Sequence, residues 1–176
     1  MIPMEELTEI TIRQVTQTDD RDMLRQLAEI SMKGNEYELT DDVRWKDTLS
    51  HFEREFAGFD DENNVFFIAE QGKKVIGFAR GSRRKDKPEQ WWLNGLEVLE
   101  EYRGNGAGTQ LGLAVREELC RRDHSSLWAH IAKNNAASLN VACKLGFCIM
   151  ADKGETIMGK YDDSGRCWFL RMDITK

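Results

Sequence analysis

Apolar and polar residues alternate through residues 9–16, EITIRQVT, and that period of two predicts a strand. The period then changes. Met23, Leu24, Leu27 and Ile30 recur at helical spacing behind Asp19 and Asp20, whose carboxylates suit the unpaired amides of a helix start. This helix should end near Gly34. Val43, Leu49, Phe52 and Phe56 mark a second helix over residues 41–56. Residues 64–70 (NVFFIAE) and 74–81 (KVIGFARG) predict two strands joined by a hairpin turn at Gln71-Gly72-Lys73. A polar loop, 82–90, leads to a strand at 91–99. A helix follows at 106–122, with Leu111, Ala114, Val115 and Leu119 on one face. Then come a strand at 126–132, a helix at 134–145 stopped by Gly146, and strands at 147–151 and 166–174.

The order is β-α-α-β-β-β-α-β-α-β-β. Hairpins in the middle and crossover helices near the end predict an α/β or α+β sheet with helices on its faces. There are no repeats and no Ser/Gly linker, so residues 1–176 read as one domain. The first ten residues, MIPMEELTEI, lack a basic region followed by an apolar stretch, and no run approaches the ~20 apolar residues of a membrane span. A cytoplasmic protein with no membrane partner is expected. The net charge of −6 speaks against a general nucleic-acid binder and suits a cationic substrate. Cys120, Cys143, Cys148 and Cys167 form no CxxC pair and have no histidine at ligand spacing. No metal site is expected, and the thiols should be reduced and mostly buried.

Chemistry concentrates in residues 101–109, EYRGNGAGT, between a strand and an amphipathic helix. Gly104, Gly106 and Gly108 allow a tight turn and close approach of a ligand to the backbone. The helix start adds unpaired amides and Arg103 a fork of donors, which together suit a phosphate or pyrophosphate. The run lacks the GxxxxGK[ST] of a Walker loop, and Thr109 stands where a dinucleotide fingerprint needs its third glycine.

Arg103-x-x-Gly106-x-Gly108 resembles the coenzyme A pyrophosphate loop of the GNAT N-acetyltransferases, [RQ]xxGx[GA]. Residues 135–147, NAASLNVACKLGF, resemble the family's N-x-x-[AS]-x-x-[LV]-[Y]-x-K-L-G-F helix and turn. The resemblance implies a mixed, mostly antiparallel sheet of about seven strands with helices on both faces. Its fourth and fifth strands would splay apart around acetyl-coenzyme A, the acetyl donor. It further implies a cofactor edge at Leu96, Glu97 and Val98, pyrophosphate contacts along Arg103, Gly104, Asn105, Gly106, Ala107, Gly108 and Thr109, and cofactor contacts from Asn135 and Ser138. The backbone amide of Val98 would steady the oxyanion. The acceptor would be a primary amine, such as a polyamine. The strand-four segment and Arg103-Gly-Asn-Gly are weakly similar to aminoglycoside 6′-N-acetyltransferases. A protein or peptide acceptor, or a non-catalytic coenzyme A-binding module, are the alternatives. Family members often pair through their C-terminal strands, here residues 168–174, so a homodimer is possible.

Besides Glu100, which stands where the family usually has proline, two positions that bear on the mechanism depart from the family. Ala142 stands where many relatives carry a tyrosine acid, which leaves Asn140, Cys143 and Ser138 as nearby candidates. Many relatives carry a glutamate base where this chain has Asn94, with Glu97 one residue out of phase unless a bulge at Gly95 shifts the strand. His130, at the expected splay, could relay protons or simply be satisfied. Glu36, Tyr37 and Glu38 lie in a loop that would line the acceptor site, with Trp92 and Asn94 as further acceptor residues; Trp91 and Trp92, on opposite faces of their strand, would either cover that region or pack in the core. Arg83, Arg84, Lys85 and Lys87 read as a solvated tip.

Overall fold

The computed structural model describes residues 9–174, so most of the acidic opening segment lies outside the described residues. The elements are β1 (Ile10–Gln14), α1 (Arg21–Gly34), α2 (Asp42–Ala57), β2 (Asn64–Gln71), β3 (Lys74–Arg83) and β4 (Trp91–Val98). A single 3-10 turn (Glu100–Tyr102) precedes α3 (Ala107–Arg121), β5 (Ser126–Ala132), α4 (Ala136–Leu145) and β6 (Cys148–Ala151). The short β7 (Gly154–Glu155) and β8 (Tyr161–Asp162) precede β9 (Cys167–Asp173). Seven strands form one sheet in the order β1-β2-β3-β4-β5-β9-β6, and β7 and β8 form a separate hairpin. The β4–β5 pair is parallel, and its neighbours are antiparallel. This is the mixed α/β sheet that the element order anticipates. No described helix is long and apolar enough to cross a membrane.

Each face of the sheet has its own core. Phe66, Ile68 and Phe78 point toward α1 and α2, where they meet Leu27, Ile30, Phe52 and Phe56. Phe66 stands edge-on to Phe56 with ring centroids 4.9 Å apart and stacks on Phe78 at 5.3 Å. Burying each such ring stabilises by about 1.5–3 kcal/mol. Val65, Phe67, Ala79 and Trp91 point the other way, toward Leu111, Val115 and Leu119 of α3 and Leu145 of α4. Gly112 makes that second layer dense, because a Cβ there would collide with Leu145.

The helix starts differ in a way that matters below. Asp20 caps α1, Asp41 caps α2 and Asn135 caps α4, each accepting a backbone amide. The cap of α3 is Gly106, which has no side chain to offer.

β9 runs between β5 and β6, with Phe169, Leu170 and Arg171 paired on both sides, so the middle of the segment expected to join two copies is already covered. The free edge on that side is β6, whose Ile149 and Met150 are exposed. The β7–β8 hairpin escaped the sequence because each strand is two residues long. It is clasped to the β3–β4 loop by Arg84, which is not a solvated tip residue. Its guanidinium is buried and donates to Asp86 at 2.6 Å and to Glu155 at 2.8 Å, and Lys87 reaches the same Glu155 at 2.6 Å. The cysteines also differ from expectation. Cys143 and Cys148 are exposed, and Cys120 and Cys167 are half-buried.

Candidate active site

β4 and β5 pair only at Trp91–Leu127 and Trp92–Trp128 and then part. The Trp92 and Trp128 rings stack at 5.9 Å just before the parting. Beyond it lies a cavity of about 350 Å³, lined from β4 by Asn94, Gly95 and Leu96, and from β5 by Ala129, His130 and Ile131. Asn135, Ser138, Val141 and Ala142 line it from α4 and its cap, and Ile157 closes it from the β7–β8 hairpin. Ala142 brings no hydroxyl to this wall. Asn140 is exposed and lies outside the lining, so it is not brought to the cavity.

The phase of β4 is set by a bulge. Gly81 pairs with Leu93 and Arg80 with Gly95, so Asn94 is the extra residue, one position before the Gly95 that the sequence suggested. Trp91 and Leu93 pack with the α3 layer before the bulge, and Leu96 and Val98 do so after it. Glu97 therefore shares the α1 face with Gly95.

Glu97 lies against Gly34, the last residue of α1, where a Cβ would collide with its Oε2. That oxygen is buried and has no hydrogen-bond partner among the described residues. Burial raises the Glu97 carboxyl to about 7, opposed by the nearby charges of Arg80 and Arg103. Arg80 is itself held by Glu55 at 3.0 Å. Glu97 does not line the cavity; it stands beside it, two residues beyond Gly95.

The β4 backbone has a free edge here. The Leu99 amide donates to Ile76 O of β3 at 2.9 Å. Backbone groups alternate in direction along a strand, so the N–H and C=O of Val98 point away from β3, toward the gap. Arg103 Nε donates to Val98 O at 3.0 Å, consistent with that direction. The loop then turns through Gly104 and Gly106, with φ of 84° and 83°. Gly108 lies inside α3 at ordinary helical φ. Its nearest neighbour to an added Cβ is Leu96 Cδ2 at 3.4 Å, so position rather than backbone freedom distinguishes it. Ala107, Gly108 and Thr109 open α3 with no side-chain cap and no acidic residue in the first turn. Their amides and the helix dipole suit an anion. Asn105 is exposed at the tip of the turn. Asn135 spends its Oδ1 on Ser138 N at 3.0 Å, and both residues face the cavity.

The expected acceptor residues are spread more widely. Trp92 and Asn94 line the cavity, and Ser82 Oγ lies 3.3 Å from Asn94 Oδ1. Glu36 and Tyr37 sit in the α1–α2 loop. Tyr37 has the Arg44 guanidinium over its ring at 4.2 Å, and Glu36 adopts φ of 59°. Neither lines the cavity. Gly34, Arg80 and Ile157 were not anticipated. Gly34 reads in the sequence only as a helix stop, and Ile157 falls in a hairpin too short to recognise.

The acetyltransferase (GNAT) family profile matches residues 24–147. No curated protein sequence matches the chain. Among solved structures, YncA, a putative acetyltransferase from Salmonella typhimurium with its cofactor acetyl-CoA, is similar at 19% identity and a TM-score of 0.68, covering 95% of each chain. The ribosomal-protein-S18-alanine N-acetyltransferase from Escherichia coli is similar at 19% identity and 0.66, covering 96% of each. PaiA N-acetyltransferase from Thermoplasma acidophilum, in complex with coenzyme A, matches at 15% identity and 0.66, over 94% of this chain and 99% of that one. At these identities the likeness is one of fold, whereas the family profile spans most of the sequence, from α1 to the residue before β6. The chain belongs to the acetyltransferase (GNAT) family.

Proposed function

We propose that residues 1–176 form a single acetyltransferase domain that transfers acetyl from acetyl-coenzyme A to a primary amine, by direct attack in a ternary complex. The observation that carries this reading is the parting of β4 and β5 around a cavity next to a helix start left without a side-chain cap. The fit of the donor rests on those features. The amides of residues 104–109 suit its pyrophosphate, with the Arg103 side chain beside them. The outward N–H and C=O of Val98, with Leu96 and Glu97 on the same strand, suit its amide-bearing arm, and Asn135 and Ser138 flank it. When bound, acetyl-coenzyme A supplies an activated thioester carbonyl.

The chain's own residues then have defined tasks. An alkyl ammonium must lose a proton before it can attack, because its ordinary pKa is near 10.4. Glu97, raised to about 7, is a carboxylate well matched to accept that proton through water. The Val98 amide, which points away from β3, would donate to developing negative charge. With Ala142 at the wall and no tyrosine among the described residues that line the cavity, the thiolate leaves as the anion or takes its proton from water.

The acceptor we favour is a small cationic amine, of polyamine or aminoglycoside type, admitted past Trp92 and Asn94. The net charge of −6 supports it. A cytoplasmic location fits that substrate. Release of coenzyme A thiol from acetyl-coenzyme A tests the reading against a panel of polyamines, aminoglycosides and peptides with free N-termini. Turnover with the small polycations is expected. Turnover confined to peptides overturns the acceptor class. Tight cofactor binding with no turnover for any amine overturns catalysis.

A further inference from the structure

We propose that His130, Asp162 and Cys167 form a divalent transition-metal site, with Zn²⁺ as the ion their donor set suits best. The three come from separate elements, β5, β8 and β9, which is why sequence spacing did not reveal them. His130 pairs with Phe169 and Ala132 with Cys167 across the β5–β9 ladder, so the imidazole and the thiol share one face. The β7–β8 hairpin folds over that face and brings Asp162 to them.

One ligand atom from each residue lies within 4.8 Å of the other two. His130 Nε2 and Asp162 Oδ2 are already 3.1 Å apart. Tetrahedral zinc bonds of about 2.0–2.3 Å require ligand atoms roughly 3.3–3.8 Å apart, so side-chain rotations of about 1 Å close the set. One nitrogen, one oxygen and one sulfur suit a borderline-soft ion better than magnesium or calcium, which take oxygen alone.

The ligands are held from behind. The His130 ring stacks on Phe169 at 4.5 Å. Asp162 Oδ1 accepts the Ser164 amide at 2.9 Å, which leaves Oδ2 for the ion. Such outer contacts orient ligands and strengthen binding. Lys133 and Arg166 also lie near the thiol, and Lys133 is paired with Asp152 at 3.1 Å. Coordination would displace the thiol proton. Three protein ligands leave a fourth position open, and one of them, His130, also lines the β4–β5 cavity.

The test uses the full chain and Co²⁺ as a spectroscopic stand-in for Zn²⁺. One Co²⁺ per chain should bind with a thiolate-to-metal charge-transfer band in the near ultraviolet, and Zn²⁺ should abolish the band. Cys167→Ser should remove it, and His130→Ala or Asp162→Asn should weaken affinity by about tenfold or more. Cys143→Ser and Cys148→Ser should leave it unchanged. In the unaltered chain, Zn²⁺ should slow alkylation of Cys167, read by peptide mass, without slowing that of Cys143. A missing thiolate band, a band that survives Cys167→Ser, or alkylation of Cys167 indifferent to Zn²⁺ overturns the proposal. The alkylation arm needs no variant, so a misfolded substitution cannot shield the idea.

Discussion

Gly34 and Glu97 share one space: the missing side chain at the end of α1 is filled by the carboxyl from β4. Gly34→Ala must therefore push Glu97 aside. If Glu97 takes the proton from the amine, this variant should lose turnover about a hundredfold, the lower range for a misplaced general base, while its affinity for acetyl-coenzyme A stays within about twofold. Steady-state kinetics with cofactor titration read both. Equal loss of turnover and cofactor binding would place Gly34 in folding rather than in catalysis.

The raised Glu97 carboxyl predicts how the rate depends on pH. The carboxylate is the form that accepts a proton, so kcat/KM should climb as pH rises through about 7. Glu97→Gln should be slow at every pH and lose that limb. A limb of unchanged position in Glu97→Gln would assign the titration to another group.

The same carboxyl predicts a stability effect of opposite direction. Its folded pKa lies above its ordinary value of 4.5, so the folded chain holds a proton more tightly than the unfolded chain. That contribution is complete below about 4.5 and is lost as pH rises through about 7. Glu97→Gln should therefore gain on the parent chain as pH rises across this window, by at most about 3 kcal/mol at 1.36 kcal/mol per pH unit. Urea denaturation at pH 5 and pH 8 measures the difference.

Gly106 and Gly108 should respond differently to an added side chain. Gly106 sits at φ of 83°, where a β-branched residue is strained by about 1–3 kcal/mol and the turn before α3 must change. Gly106→Val should weaken acetyl-coenzyme A binding at least about tenfold in calorimetry. Gly108 has no such strain. Gly108→Ala should keep the fold, because its new methyl would meet only ordinary contacts. Full cofactor affinity in a folded Gly106→Val chain would remove the turn from the binding site.

The Arg84 clasp predicts an asymmetry. Glu155 is half-exposed and its ion pairs are screened by solvent, so Glu155→Gln should cost little. Arg84 is buried between Asp86 and Glu155, so Arg84→Ala removes packed stem as well as charge and should cost more. Thermal unfolding orders the two, and equal costs would mean that the guanidinium is not the fastener of the hairpin.

Much of this fold is legible in the chain because local signals agree. Asp20 does cap α1, Gly146 does stop α4 in a left-handed conformation, and the Gln71-Gly72 turn does join β2 and β3. The anion-suited loop is legible for the same reason: its glycines and Arg103 are contiguous. What stays hidden depends on tertiary placement. The bulge at Asn94 is a mismatch with β3 and has no signature within β4 alone. Arg84 looks exposed in a basic run because its acid partner Glu155 is 71 residues away. The neighbours of Glu97 come from α1 and β3, and the trio of His130, Asp162 and Cys167 exists only once β5 and β9 lie side by side.

The one-residue mismatch between β3 and β4 makes this strand intolerant of miscounting. Deleting a residue around Asn94 would restore plain alternation and rotate everything on one side of the cut by half a turn. Trp91 and Trp92 would trade layers, or else Leu96 and Glu97 would, and a carboxylate would be forced into an oily layer. The length of this segment is thus a stricter constraint than its side-chain chemistry: the Asn94 side chain can be swapped, but the place it holds in the count cannot.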